Sequence, residues 1–268
     1  VPFCRVGDLQ IHYHVQGKGP PLVLIMGLAG DLSWWERLVP ELEDRFTVVT
    51  FDNRGAGLTD KPDEKYTIPL FARDTIGLLE VLGIGRAHIF GVSMGGMIAQ
   101  ELAVRYPDRI DRLVLGCTHS GGSGFVLPSA EAVQNMTLTR GKSLEQIARQ
   151  IVSILFSPRF QKEEPEYVNA LTLRYAKNPP SRKALSNQFW AALGHDCYER
   201  LPFITAPTLI LTGDADVLVP PENSLCLADR IPGSRVVFLP EAGHAFFIEA
   251  AKETARCLIE HLSWEGSS

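Results

Sequence analysis

Short runs of consecutive apolar residues recur along the chain, separated by longer stretches in which apolar positions return every three to four residues. Residues 22–26, 46–51, 87–90, 112–115, 208–212 and 236–239 are of the first kind, as expected of strands buried on both faces of a parallel sheet. Residues 9–15 alternate apolar with polar, like a hairpin-like opening strand. Residues 34–42, 70–82, 94–106 and 249–262 carry the helical period. This alternation predicts an α/β fold, a mostly parallel sheet flanked by helices on both faces and joined by right-handed crossovers. It fails between about residues 122 and 200, where the helix-period stretches 143–155 and 164–175 are broken by Ser157-Pro158 and Pro179-Pro180. A structureless loop of that length is improbable in a compact domain, so the segment reads as a helical insertion lying over the sheet. The tail, Gly266-Ser267-Ser268, is expected to fray.

Composition narrows the partners. A chain of 268 residues suits one large α/β domain carrying an insertion. With 45% apolar and 21% charged residues and a net charge of −5, it has no bias toward polyanions, so nucleic acid is not expected as a partner. The longest apolar stretch, residues 20–28, falls far short of the roughly 20 residues of a membrane span. The chain opens on Val1 rather than Met, so its start does not report on a leader. Cys4, Cys117, Cys197, Cys226 and Cys257 are odd in number and scattered in mostly apolar contexts, which points to reduced thiols and a cytoplasmic location. None has metal-ligand spacing, and Cys117/His119 lacks a second pair, so no metal is expected.

The candidate chemistry starts at Gly91-Val92-Ser93-Met94-Gly95, between an apolar run and a helix-period stretch. A serine at the apex of a strand-to-helix turn presents its hydroxyl, and flanking glycines let neighbouring backbone pass close to it. Serine is a weak nucleophile near neutral pH and needs a base, which in turn needs an orienting group. His244, in Gly243-His244 after the run at 236–239, is the candidate base. His12, His14, His88 and His261 lie within strand or helix patterns and suit structural or solvated roles. For the acid, Asp214 and Asp216 compete at the end of the run at 208–212. Asp216 stands farther beyond the strand, where a loop can carry it to the imidazole, while Asp214 is placed to cap local amides. An oxyanion needs preorganised donors: the Met94 N–H follows the serine, and Met26-Gly27-Leu28-Ala29-Gly30 offers the Leu28 N–H at a neighbouring strand end. Asp52-Asn53-Arg54-Gly55-Ala56-Gly57 lacks the Gly-Lys-Ser/Thr of a phosphate cradle and reads as a structural loop tied by Asp52 and Arg54. Glycines 91–96 do not have dinucleotide-binding spacing, so no cofactor is expected.

The elbow at Ser93, Gly213-x-x-Asp216-x-x-x-Pro220, Gly243-His244 and Asp52-x-Arg54-Gly55-x-Gly57 together resemble the α/β-hydrolase superfamily of serine esterase/lactonase type. The resemblance covers nearly the whole chain. It implies an eight-stranded, mostly parallel sheet with a helical cap inserted after the sixth strand, residues 1–122 and 201–268 forming the core and 123–200 the cap. It also implies the chain order nucleophile, acid, histidine, matched here by Ser93, Asp216 and His244. One departure is Met26-Gly27, where many relatives have His-Gly in the oxyanion loop.

What the resemblance implies is a carboxylic-ester hydrolase working through an acyl-enzyme on small to medium apolar esters or lactones. N-acyl homoserine lactones or an enol-lactone are the specific candidates. Apolar cap residues, among them Leu155, Phe156, Phe189 and Trp190, are candidates for an enclosed acyl pocket or for the cap's own core. Two rival readings use the same fold. One is carbon–carbon bond hydrolysis in aromatic degradation, which wants a cationic carboxylate clamp such as Arg174 or Arg182. The other is a ligand receptor with a slow triad.

Overall fold

The computed structural model describes residues 2–263; the tail at 266–268 lies outside them. Among these residues eight strands form one sheet in the order β1-β2-β4-β3-β5-β6-β7-β8. They are β1 (Phe3–Val6), β2 (Leu9–Gly17), β3 (Pro21–Ile25), β4 (Thr47–Phe51), β5 (Ala87–Val92), β6 (Ile110–Gly116), β7 (Thr208–Gly213) and β8 (Arg235–Leu239). The pairs β1/β2 and β2/β4 are antiparallel and all others parallel. The opening segment is a true hairpin, with Gly7 at φ 57° turning β1 into β2, although the sequence pattern showed only its second strand. In β3, Leu22 and Leu24 enter the apolar core on one face while Val23 and Ile25 enter that on the other. This period of two, apolar on both sides, is why the strand reads as a continuous run.

The first core packs the sheet against α1 (Ile68–Val81), α2 (Met94–Arg105) and α8 (Glu222–Arg230); the second packs it against α9 (Phe246–Glu249) and α10 (Ala251–Leu262). Two helical expectations need correction. Residues 34–42 form two 3-10 turns, Leu32–Trp35 and Val39–Glu41, and Pro40 at the start of the second has no N–H to continue a helix. Trp35, Leu38 and Leu42 are nevertheless buried, so the apolar spacing is satisfied without an α-helix. The C-terminal stretch is broken at Ala250, whose φ of −120° and ψ of 45° separate α9 from α10. Helix α8 lies outside the stretches that carry the helical period in the sequence.

The helical cap leaves the sheet after β6 and carries α3 (Ala130–Thr137), α4 (Leu144–Leu155), α5 (Pro158–Glu163), α6 (Pro165–Lys177) and α7 (Arg182–Leu193). Ser143 and Gln146 close a capping box at the start of α4. The departing and returning chains meet at the Gly121–Asp196 bridge, where the Cys197 N–H donates to the Ser120 carbonyl at 2.8 Å. A Cβ on Gly121 would lie 1.8 Å from the His195 carbonyl oxygen, so only glycine permits this approach.

His119, His195 and His261 are buried. Burial pushes His119 down to about 3, with His195 acting in the same direction, and pushes His195 and His261 each down to about 4. The His119 Nδ1 accepts the Gly121 N–H at 3.0 Å, a role open only to neutral imidazole. The unfolded chain binds these protons below about pH 6.5 and the folded protein does not. The stability involved is therefore complete above about pH 6.5 and is lost as pH falls toward 4. Urea midpoints should drop between pH 7 and 4.5, and His195→Gln should make that dependence shallower by about 1.4 kcal/mol per pH unit. Parallel profiles for the two proteins would show that His195 is not refused its proton.

Candidate active site

Ser93 joins β5 to α2 with no intervening loop, at φ 55° and ψ −123°. The local sequence allows this because glycines surround it. A Cβ on Gly91 would stand 2.2 Å from the Gly95 carbonyl oxygen, and one on Gly95 would stand 2.0 Å from that of Ile25. The Ser93 N–H donates to Gly116 O at 2.9 Å, and its carbonyl accepts the Thr118 hydroxyl at 2.7 Å. The serine is thus fixed by its backbone while its side chain stays partly accessible. On the facing loop, a Cβ on Gly27 would approach the Ser93 Cβ to 3.0 Å, which places the peptides after β3 directly against the serine.

His244 is buried in the loop between β8 and α9, and its Nδ1–H donates to Asp216 Oδ2 at 2.7 Å. The second carboxylate oxygen of Asp216 accepts the Leu218 and Val219 N–H groups at 2.8 and 2.9 Å, which fixes the carboxylate from both sides. Burial opposes charge on His244, but the Asp216 carboxylate and the contact with Cys117 together outweigh it and hold the imidazole well above its ordinary value. Of the two competing aspartates, the structure brings Asp216 to the histidine. Asp214 is exposed and accepts the Glu241 N–H at 2.6 Å, tying the loop that carries His244.

The sequence offered no signal for several neighbours. Cys117, just past β6, is buried in hydrogen-bonding contact with His244 and beside the Ser93 backbone, and burial raises its thiol. Donor atoms of Cys117, Asp216 and His244 lie within 4.8 Å of one another, the one such group among the described residues. The carboxylate and Nδ1 are spent on each other, and a raised thiol resists becoming the thiolate that a metal takes. Glu249, at the end of α9, accepts the Gly243 N–H at 3.1 Å and the Ser157 N–H and hydroxyl at 2.8 and 2.7 Å. The Ala245 N–H donates to Leu155 O at 2.8 Å. Residues on both sides of His244 are therefore tied to the cap or to Glu249, which holds the cap.

Leu28 is half-buried on the loop after β3, and Met94 is buried at the first position of α2. Asp52 ties its surroundings by accepting Leu32 N–H, Leu58 N–H and His12 Nδ1–H at 2.8, 2.8 and 2.6 Å, and Arg54 forms a paired contact with Asp74. Among the cap candidates, Leu155 is half-buried next to the His244 loop, and Phe156 stacks on Phe160 inside the core beneath the cap. Phe189 and Trp190 are 37% and 62% exposed. Gln188 on the same helix faces inward, so Trp190, about 200° further round α7, faces outward and is not brought to the site.

Fold and site together define a class. The family model described as the alpha/beta hydrolase fold matches residues 20–251, and the chain belongs to that family. A putative carbamate hydrolase, RutD, from Azorhizobium caulinodans is 28% identical over 92% of each chain. The crystal structure of the enol-lactonase from Burkholderia xenovorans superposes with a TM-score of 0.87 at 28% identity, covering 98% of this chain and 100% of that one. Est816, described as an N-acyl homoserine lactone degrading enzyme, superposes with a TM-score of 0.83 at 26% identity over 97% and 99% of the two chains. These relatives are hydrolases, and this chain is an enzyme of that family.

Removing the Glu249 carboxylate should loosen the tie between cap and histidine loop. Glu249→Ala is expected to cost about 1–3 kcal/mol in urea unfolding, from lost accepted bonds at a partly buried site. Glu249→Gln, which keeps one acceptor, should fall between that variant and wild type. Equal midpoints for all three proteins would mean that the contacts contribute nothing.

Proposed function

We propose that the protein is a serine hydrolase acting on carboxylic esters and lactones, with Ser93 as nucleophile, His244 as general base and acid, and Asp216 as the orienting carboxylate. The observation that carries this reading is the combination of Ser93 at a strand-to-helix elbow with a buried His244–Asp216 pair bonded at 2.7 Å. In this mechanism the Ser93 Oγ attacks the acyl carbon while His244 Nε2 takes its proton, and the Leu28 and Met94 amides hold the resulting oxyanion. Collapse expels the alkoxide, which takes the proton from His244, and leaves Ser93 acylated. Water, deprotonated by His244, then attacks the acyl-enzyme; acid is released and the proton returns to Ser93. Asp216 serves by fixing the tautomer with Nδ1–H and by stabilising the imidazolium.

The substrate reading is a small to medium apolar ester or lactone. It is supported by relatives whose names give enol-lactone and N-acyl homoserine lactone chemistry. Carbon–carbon hydrolysis is less well supported, because Arg174 is paired with Glu36 at 3.0 Å and Arg182 is exposed. The division into a core of 1–122 and 201–268 and a cap of 123–200 belongs to the same proposal, with the cap shaping acyl selectivity.

Proton release from a short-chain acyl ester and from an N-acyl homoserine lactone, measured side by side, tests the assignment. Ser93→Ala should lower turnover of either by several orders of magnitude, on the order of 10³ or more; retained turnover sinks it. Preference for the lactone would define a lactonase, and preference for the ester a carboxylesterase. Since only neutral His244 can act as base and its value is raised, kcat/KM should climb with pH along an acid limb above about pH 6.5. An acid limb well below 6 would contradict the assigned base.

A further inference from the structure

Gln188 lies on α7 in the cap and is fully buried, with both ends of its amide engaged. Its Oε1 accepts the Ala29 N–H at 2.8 Å, and its Nε2 donates to the Arg54 carbonyl at 2.8 Å. Ala29 follows Leu28 and sits at φ 62°, a conformation that alanine does not keep unaided. On the other side of Leu28, Asn53 Nδ2 donates to Met26 O at 2.8 Å. The Leu28 N–H belongs to the peptide between these two restrained peptides, so its direction is set from both sides. Without the acceptor at Ala29 the loop can relax to negative φ, which rotates the Leu28–Ala29 peptide and carries the neighbouring amide with it.

We propose that Gln188 is a positioning residue for the oxyanion site: a cap side chain that holds the Leu28 amide in its working direction through Ala29. This rests on the reading of Leu28 as an oxyanion donor. The cap then contributes to the chemical step as well as to substrate selection. A donor displaced by a fraction of an ångström stabilises the tetrahedral oxyanion less, while ground-state binding of the ester hardly changes.

The test uses the full chain with Gln188→Leu, Gln188→Glu and Asn187→Ala. Leucine has similar bulk but no polar atoms. Glutamate keeps an acceptor for the Ala29 N–H but cannot donate to Arg54, and its milder change serves if the leucine variant does not fold. Asn187 donates to Glu64 O at 2.9 Å, so its variant removes a neighbouring cap-to-core bond without touching the oxyanion loop. Gln188→Leu should lower ester kcat about ten- to hundredfold with KM within about threefold, and should weaken binding of a trifluoromethyl ketone, which is held as a tetrahedral alkoxide, by a similar factor. Gln188→Glu should lose less, and Asn187→Ala should stay within about twofold of wild type. Unchanged kcat and ketone affinity in the Gln188 variants, or an equal loss in Asn187→Ala, would overturn the proposal. Hydrogen exchange of the Ala29 amide, read in the Ser93→Ala background, is independent of turnover. It should quicken with Gln188→Leu, and no change there overturns the clamp even if the esterase reading stands. Conversely, ester turnover that survives Ser93→Ala overturns the esterase reading, while the exchange result still decides the clamp.

Discussion

The site depends on the close approach of α2 to the strands behind Ser93. A strand running straight into a helix forces the joining residue to positive φ, and for serine this costs on the order of 1–2 kcal/mol. The arrangement persists because glycine stands wherever a Cβ would collide. A Cβ on Gly95 would sit against Ile25 of β3, and one on Gly96 would lie 2.5 Å from the Thr118 Cβ beyond β6. All six residues of β5 are buried, so the joint is clamped by the most enclosed part of the sheet. The same geometry opens a helix immediately after the serine and places the positive end of its dipole beside the Ser93 side chain.

Backbone strain gathers past the carboxyl ends of the parallel strands. Among the described residues, the non-glycine positions with positive φ are Ala29, Ser93, Cys117 and Glu241, which follow β3, β5, β6 and β8. Each is held by a partner elsewhere in the chain: Gln188 for Ala29, Gly116 O for the Ser93 N–H at 2.9 Å, Leu211 O for the Cys117 N–H at 2.9 Å, and Asp214 for Glu241. Carboxyl ends of parallel strands are where α/β sheets gather ligands. Here they are also where backbone conformations unsuited to their residue types are enforced by contacts from outside.

Features set by local pattern were legible in the sequence. Apolar runs gave the parallel strands, and the glycines with Ser93 gave the elbow. The extra reach of Asp216 beyond its strand separated it from Asp214. Residues whose meaning depends on distant partners were silent: Gln188 reaches Ala29 across 159 positions, and Ser157 reaches Glu249 across 92. Nothing in the neighbourhood of a glutamine or a serine marks such a contact. Apolar spacing also misled in two ways. At 34–42 it reported burial but not whether the backbone was α-helical, and at Trp190 an aromatic residue carried no sign of which way α7 would turn.

The distribution of polar contacts between cap and core separates those that can hold the site from those that cannot. Arg37–Glu164, Arg159–Glu241 and Arg174–Glu36 span the seam with side chains between 31% and 69% exposed, where solvent screening leaves such pairs contributing little. The Gln188 and Ser157 contacts are shielded, and neither residue could release its partner without leaving a polar group unpaired in a dry environment. A cap opening wide enough to break them would free both the loop bearing Leu28 and the loop bearing His244. In the arrangement the structure shows, the loop bearing Leu28 and the loop bearing His244 are both held by the cap, so their geometry is coupled to its position.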